Sequence, residues 1–128
     1  LTGRRIFEAL VGLADVAPTL SEWMLLEPFS ELEGRSLLAR TDRERSLEPR
    51  PVIAELPGGL ISARIDGWRL LLNRDGVARE GAYEISSAEL YDTANDPSEL
   101  EDVSGERPEV LGGLMQAVAE WERRFPRR

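Results

Sequence analysis

Four carboxylates, Asp92, Asp96, Glu99 and Asp102, fall close together in the stretch that begins Ala-Glu-Leu-Tyr-Asp at Ala88. Carboxylates at that density are the usual donors for a divalent cation. A calcium loop of the EF-hand type sets its ligands at alternate positions around a glycine and closes on a glutamate. That spacing is absent here. The residues fit another job: Asp and Asn bond their own backbone, and Pro97 withholds a ladder N–H, so Asn95-Asp96-Pro97 ends a strand in a tight turn. Asp15 reads as a helix cap rather than a ligand. Trp23, Trp68 and Trp121 read as core residues rather than substrate-stacking surfaces. The chain has no Cys and no His, and all 16 of its basic residues are Arg. Thiolate, imidazole and lysine chemistry are therefore missing, and no catalytic, cofactor-binding or metal-ligating residue is assigned to this chain.

The elements that carry these residues belong to a chain of 128 residues, enough for one domain that buries about two-thirds of its unfolded surface. The net charge is −8, and residues 80–109 hold ten acidic side chains against Arg107 alone. An acidic surface argues against nucleic acid, because affinity for phosphates comes from clustered Lys and Arg. No apolar run approaches the ~20 residues that span a bilayer, so no membrane partner is expected. The opening Leu-Thr-Gly-Arg-Arg, without Met and without a signal peptide, reads as part of a longer gene product. The lack of Cys excludes disulfides and leaves the compartment open.

Along the chain, the mostly apolar run from Ile6 to Leu13 suits a strand covered on both faces. Asp15 and Pro18 open a helix of about two turns whose apolar face is Leu20, Trp23, Met24, Leu25 and Leu26, with Pro28 as its stop. Residues 27–50 are loop-like, with a helical turn at residues 36–39 and a charged stretch at 40–48. Residues 51–56 form a strand closed by Pro57-Gly58-Gly59. Two β-rich runs, residues 60–65 and 68–73, flank Asp66-Gly67, the strongest short-range hairpin signal. After a second turn region at 73–81, residues 83–92 supply another strand. The last element is a helix entered at Pro108, with Val110, Leu111, Leu114, Met115, Val118, Trp121 and Phe125 on the face that covers the sheet. Gly112-Gly113 inside it costs on the order of 2 kcal/mol relative to two alanines, and close approach to the sheet would explain the pair. The fold class is α+β: a small antiparallel sheet of three to four strands against a C-terminal helix, preceded by an N-terminal strand-helix segment. The expected division is 1–40 and 41–128.

Read together, these pieces resemble the C-terminal portion of a sulfatase of the alkaline-phosphatase superfamily. Asp15-Val16-Ala17-Pro18-Thr19-Leu20 is similar to the family's Asp-x-x-Pro-Thr-Leu helix start, and Gly34-Arg35-Ser36-Leu37 to its Gly-x-Ser-Leu segment. Val52 to Glu55 resembles the Val-x-x-Glu strand, and residues 63–70 the strand-turn-strand in which Arg69 replaces a usual Lys. Glu89-Leu90-Tyr91-Asp92 followed by Asn95-Asp96-Pro97-Ser98-Glu99 is the most specific match. The chain departs from the pattern at Thr93, where Leu is usual, and at Asp102-Val103, where Asn-Leu is common.

The resemblance implies that residues 1–40 are the tail of a parent catalytic domain and 41–128 a sulfatase C-terminal subdomain. The parent would hydrolyse sulfate esters with a formylglycine made in a Cys/Ser-x-Pro-Ser-Arg motif, beside Ca2+ or Mg2+. Those groups belong to the parent, and none is carried by this chain. Ser46-Leu47-Glu48-Pro49-Arg50 holds Ser and Arg at the wrong spacing for that motif. Its implied partner is the remainder of the parent sulfatase. Freed from that partner, the chain is expected to form a homo-oligomer through its N-terminal segment, where Ile6, Phe7, Leu10, Val11, Leu13, Leu20, Trp23 and Met24 supply the apolar surface. Two alternatives stand beside this one: a free-standing α+β interaction module, and the equivalent part of a phosphatase or phosphotransferase of the same superfamily.

Overall fold

A computed structural model of the chain describes residues 10–26, 33–38, 49–56, 59–74 and 87–126. It divides into two compact units, Leu1–Pro49 and Arg50–Arg128.

In the first unit a 3-10 turn, Leu13–Asp15, runs into helix α1, Val16–Trp23. Gly12 N–H donates to Asp15 Oδ2 at 3.0 Å, which closes the turn. Asp15 therefore does not cap α1: its backbone is already helical (φ −77°, ψ −15°), and its side chain makes no cap bond to that helix. Pro18 sits in the first turn, where the missing N–H has no helical partner to lose. The helix ends on Leu25 in the left-handed region (φ 56°). Leu26 N–H bonds Ser21 O at 2.9 Å and Leu25 N–H bonds Glu22 O at 3.1 Å, the double closure of a Schellman motif with leucine where glycine is usual. Pro28 and residues 1–9 lie outside the described residues. Of the run expected as a strand, Leu10 to Gly12 carry no strand and Leu13 is in the 3-10 turn, because the Gly12–Asp15 closure winds the chain there. The charged stretch at 40–48 is also outside, as is the end of the turn expected at 36–39.

The second unit holds β1 (Val52–Leu56), β2 (Leu60–Ile65), β3 (Trp68–Asn73) and β4 (Ala88–Asp92), an antiparallel meander in the order β1-β2-β3-β4. Asp66 (φ 45°) and Gly67 (φ 81°) both take positive φ, the type I′ geometry whose twist matches the strands it joins. That turn sets the register Ile65↔Trp68 through Leu60↔Asn73. Of the strand expected over residues 83–92, the described part is β4; residues 75–86 lie outside. Alternate residues of the strands point one way: Ile61 and Ala63, Leu70 and Leu72, Leu90. They meet Leu114 and Val118 of helix α2, Pro108–Arg124, to form the buried core. Ile53, Ile65, Trp68, Val103, Val110 and Leu111 pack around it.

Pro108 opens α2 with Glu109 in its first turn, and Arg123 and Arg124 close it, each on the favourable end of the helix dipole. Arg74 Nη2 to Glu122 Oε2, 2.7 Å, pins the end of β3 to the helix. Two expectations fail on this helix. Met115 is 41% exposed, on the edge of the covered face rather than within it. Gly112 and Gly113 face outward: a Cβ on either would meet no atom within 4 Å, so approach to the sheet does not account for them. Trp121 and Phe125 are half-buried, with ring centroids 6.3 Å apart.

Candidate functional site

The acidic stretch leaves β4 and folds as three successive carboxylate-bound turns. Asp92 Oδ1 accepts from Ala94 and Asn95 N–H, and its Oδ2 accepts from Asn95 Nδ2 at 2.8 Å. Asp96 Oδ2 accepts from Leu100 N–H at 2.6 Å and Glu101 N–H at 3.0 Å. Asp102 Oδ1 accepts from Ser104 N–H and from Leu90 N–H of β4, while Oδ2 takes the Ser104 hydroxyl. Val103 N–H in turn donates to Leu90 O at 2.9 Å. The loop thus covers the outer edge of β4 as a short surrogate strand. The Asn95 side chain foremost, then backbone N–H groups, hold the Asp92 carboxyl below the usual range. Burial would raise Asp102, yet its bonds from Leu90 and Ser104 outweigh that and lower it. Asp92, Asp96 and Asp102 spend these oxygens on the loop itself. Among the described residues no group of three or more His, Cys, Asp or Glu side chains could hold a metal ion.

Glu99 has turned the other way. Its backbone is left-handed (φ 54°), and its Oε2 meets Arg69 Nη1 at 2.5 Å on the sheet face opposite α2. Arg69 Nε also donates to Ser62 Oγ, 3.1 Å. Tyr91, directly across from Arg69, donates its hydroxyl to Glu89 Oε2 at 2.8 Å. Burial, then the Glu89 bond and charge, push the Tyr91 phenol up to about 12. At neutral pH it is a donor and not a base. Ser62 receives a guanidinium proton rather than facing a base, so nothing activates it as a nucleophile. Among the described residues no buried side-chain nitrogen or oxygen is left without a partner. The arrangement ties the loop to the sheet; it does not present a reacting group.

In the first unit Asp15 Oδ1 takes Arg35 N–H (2.9 Å) and Thr19 Oγ1 takes Leu37 N–H (2.9 Å). Residues 33–38 are thereby fastened along the polar side of α1, and Gly34 lies against Ala14 O, where any Cβ would clash. Trp68 packs on the core, Trp121 is half-buried, and Trp23 is 70% exposed, against the expectation that it is core. Ser46 lies outside the described residues. The Arg69–Glu99 and Tyr91–Glu89 partners are absent from the sequence reading. Period-two alternation puts Glu89 and Tyr91 on one face and was the available signal for that pair; nothing local announces a bond between residues 69 and 99.

No family model matches the chain, and no curated protein matches it. Solved structures do. One, described under the metabolism of multiple glycosaminoglycans by Bacteroides thetaiotaomicron (BT33336S-sulf), superposes with TM-score 0.67 at 17% identity over 85% of this chain and 24% of its own. Ps i-CgsB gives 0.64 at 18% identity, over 92% of this chain and 25% of its own. BT4656, solved in complex with its substrate D-glucosamine-2-N,6-O-disulfate, gives 0.61 at 20%, over 86% and 23%. The chain shares the fold of the matched part of these proteins. It spans about a quarter of their length.

Proposed function

We propose that this chain is the C-terminal part of a sulfatase, a structural subdomain whose parent hydrolyses sulfate esters of sulfated sugars. One observation carries the proposal: the fold match covers 85–92% of the chain, and the proteins matched include one labelled BT33336S-sulf and described under glycosaminoglycan metabolism, and one bound to a disulfated glucosamine as its substrate. The motif from Glu89 to Glu99 supports it, since those residues form β4 and the turns that leave it. The parent's formylglycine and Ca2+ or Mg2+ have no fit here: the chain holds no Cys/Ser-x-Pro-Ser-Arg motif and no His, and its clustered carboxylates are occupied by backbone N–H groups. This part's work is to build and brace a subdomain against the remainder of the parent.

The test is the coding sequence upstream of Leu1, followed by expression of the longer protein. A Cys/Ser-x-Pro-Ser-Arg motif and sulfate release from glucosamine 6-O-sulfate are expected from it, and the 128-residue chain alone should release none with Ca2+ or Mg2+ present. A Thr or Ser nucleophile without that motif, with release of phosphate instead, would move the chain to the phosphatase branch. Turnover by the short chain that survives repeated purification would defeat the structural role.

A further inference from the structure

Helix α1 is inverted relative to an ordinary surface helix. A globular helix buries its apolar stripe and leaves its polar side in water. Here Asp15 and Ser21 are buried, at 1% and 6% exposure, with residues 33–38 fastened to Asp15 and Thr19. The apolar side is the one in water: Leu13 is 92% exposed, Val16 48%, Leu20 45%, Trp23 70% and Met24 55%. At helical spacing these five form one continuous stripe, and Leu25, 92% exposed, extends it. A helix of eight residues does not hold itself together in water, so packing must supply its stability. Among the described residues, packing reaches only the polar side.

With a large side chain offering about 150–250 Å2 when fully exposed, these six groups offer roughly 600–1,000 Å2. That exceeds the few hundred Å2 typical of a monomer's largest patch and brackets the ~800 Å2 each partner gives to a standard interface. Two observations then choose the occupant. The match to Ps i-CgsB covers 92% of this chain, so the shared fold takes in the first unit as well as the second. The same match covers 25% of that protein, so about three-quarters of its polypeptide lies beyond the part shared with this chain. If this chain is likewise part of a longer protein, a large remainder is joined to it. A joined remainder meets α1 at an effective concentration on the order of mM. A second copy must instead be encountered at the concentration of the free protein. The covalent tether thus favours the remainder over a partner in trans. We propose that the Leu13-Val16-Leu20-Trp23-Met24 face is where the remainder of the parent seats, through an uncharged apolar surface of its own. The helix is then packed from both sides, by residues 33–38 on one and by the remainder on the other. This docking rests on the part of the sulfatase reading that makes the chain a piece of a longer protein, and not on what that protein hydrolyses.

Hydrogen exchange read by mass spectrometry, on the longer protein and on the 128-residue chain alone, tests it. In the longer protein the amides of residues 20–26 should exchange at least tenfold more slowly than in the short chain, whatever the concentration of either. Leu20→Glu and Trp23→Glu in the longer protein should each remove at least tenfold of that protection. Met115→Glu, exposed on α2, should leave it unchanged. The amides of β2 and β3 should keep their wild-type rates in all three variants, which shows that the second unit stays folded. Three results would overturn the proposal: equal exchange at residues 20–26 in the long and short proteins, protection of the short chain that grows with its concentration, or full protection in both glutamate variants. Sulfate release decides the other reading separately. A longer protein that protects α1 and releases no sulfate defeats the sulfatase reading alone, and one that releases sulfate with α1 unprotected defeats the docking alone.

Discussion

Leu25, Gly112 and Gly113 show how single residues can sit against their own preferences. Leu25 holds a left-handed backbone that glycine adopts more readily, and it does so in solvent, with no packing in return. Gly112 and Gly113 sit inside α2 with open space where their side chains would be. Glycine in a helix interior is worse than alanine by about 0.8–1.0 kcal/mol, so Gly112→Ala and Gly113→Ala should each stabilise the fold by about that much. Thermal unfolding reads the change, and a loss of stability would mean a neighbour fills that space. Tyr91 gives a second prediction at this scale. Its phenol ionises near 12 in the folded chain against an ordinary 10.0, so the stability it contributes is full below pH 10 and is lost as pH rises through 12. Spectroscopic titration should find a late tyrosinate step that Tyr91→Phe removes; a Tyr91 that ionises near pH 10 would show that the Glu89 bond does not form in solution.

Between residue and fold, β4 is held differently on its two sides. One edge pairs with β3 along Trp68↔Asp92 through Leu72↔Ala88. The other is closed by Asp102 and Val103 on the N–H and C=O of Leu90. Asp102→Ala removes the acceptor of Leu90 N–H and two bonds from Ser104, leaving an N–H next to the core unsatisfied. A loss of about 1–3 kcal/mol is expected on denaturant unfolding, and a silent variant would mean Val103 alone secures the edge. The same loop makes the chain acid-sensitive. The Asp92 and Asp102 carboxyls have folded pKa values below their unfolded ones. Their contribution is therefore present above the unfolded value, near 4, and is lost as pH falls through the folded one. Asp102→Ala should flatten that acid slope, which chemical denaturation at a series of pH values would show.

For the molecule as a whole, the second unit has a small core with α2 on one sheet face. Leu70 lies at its centre, fully buried, on the middle strand pair and under Leu114 and Val118. Leu70→Ala should cost about 2–5 kcal/mol, a large share of the 5–15 kcal/mol that stabilises a typical domain. Arg64→Ala, exposed on the neighbouring strand, should stay within about 0.5 kcal/mol. Equal melting temperatures for the two would mean that the sheet does not bury this face. The first unit has no comparable core among its described residues: Asp15 and Ser21 are its buried side chains, and the large apolar groups of residues 10–26 are exposed, while Leu37 and Leu38 are half-buried.

The sequence was enough at several places where geometry is decided within a few residues, though not at the Gly12–Asp15 turn, which falls where a strand was expected. Asp66-Gly67 determined the hairpin because few other pairs accept two positive φ values. Strand β4 ends at Asp92, whose own carboxylate takes the Ala94 and Asn95 N–H groups, three residues ahead of the stop expected at Asn95-Asp96-Pro97. Pro108 with the 3.6-residue period determined α2. The phase of that helix was legible too, since Gly112 and Gly113 fall away from the Leu111-Leu114-Val118 face; the close approach expected for them went against that period. Only the tertiary structure decided which partner each polar group found. Asp15, a cap by local rules, bonds Arg35 twenty residues on, and Arg69 meets Glu99 thirty residues on. Nothing within a few residues selects such pairs: each exists because the fold brings two segments together. The inverted α1 is the clearest case. Its spacing specified an apolar stripe, but which side is covered depends on what the chain packs against.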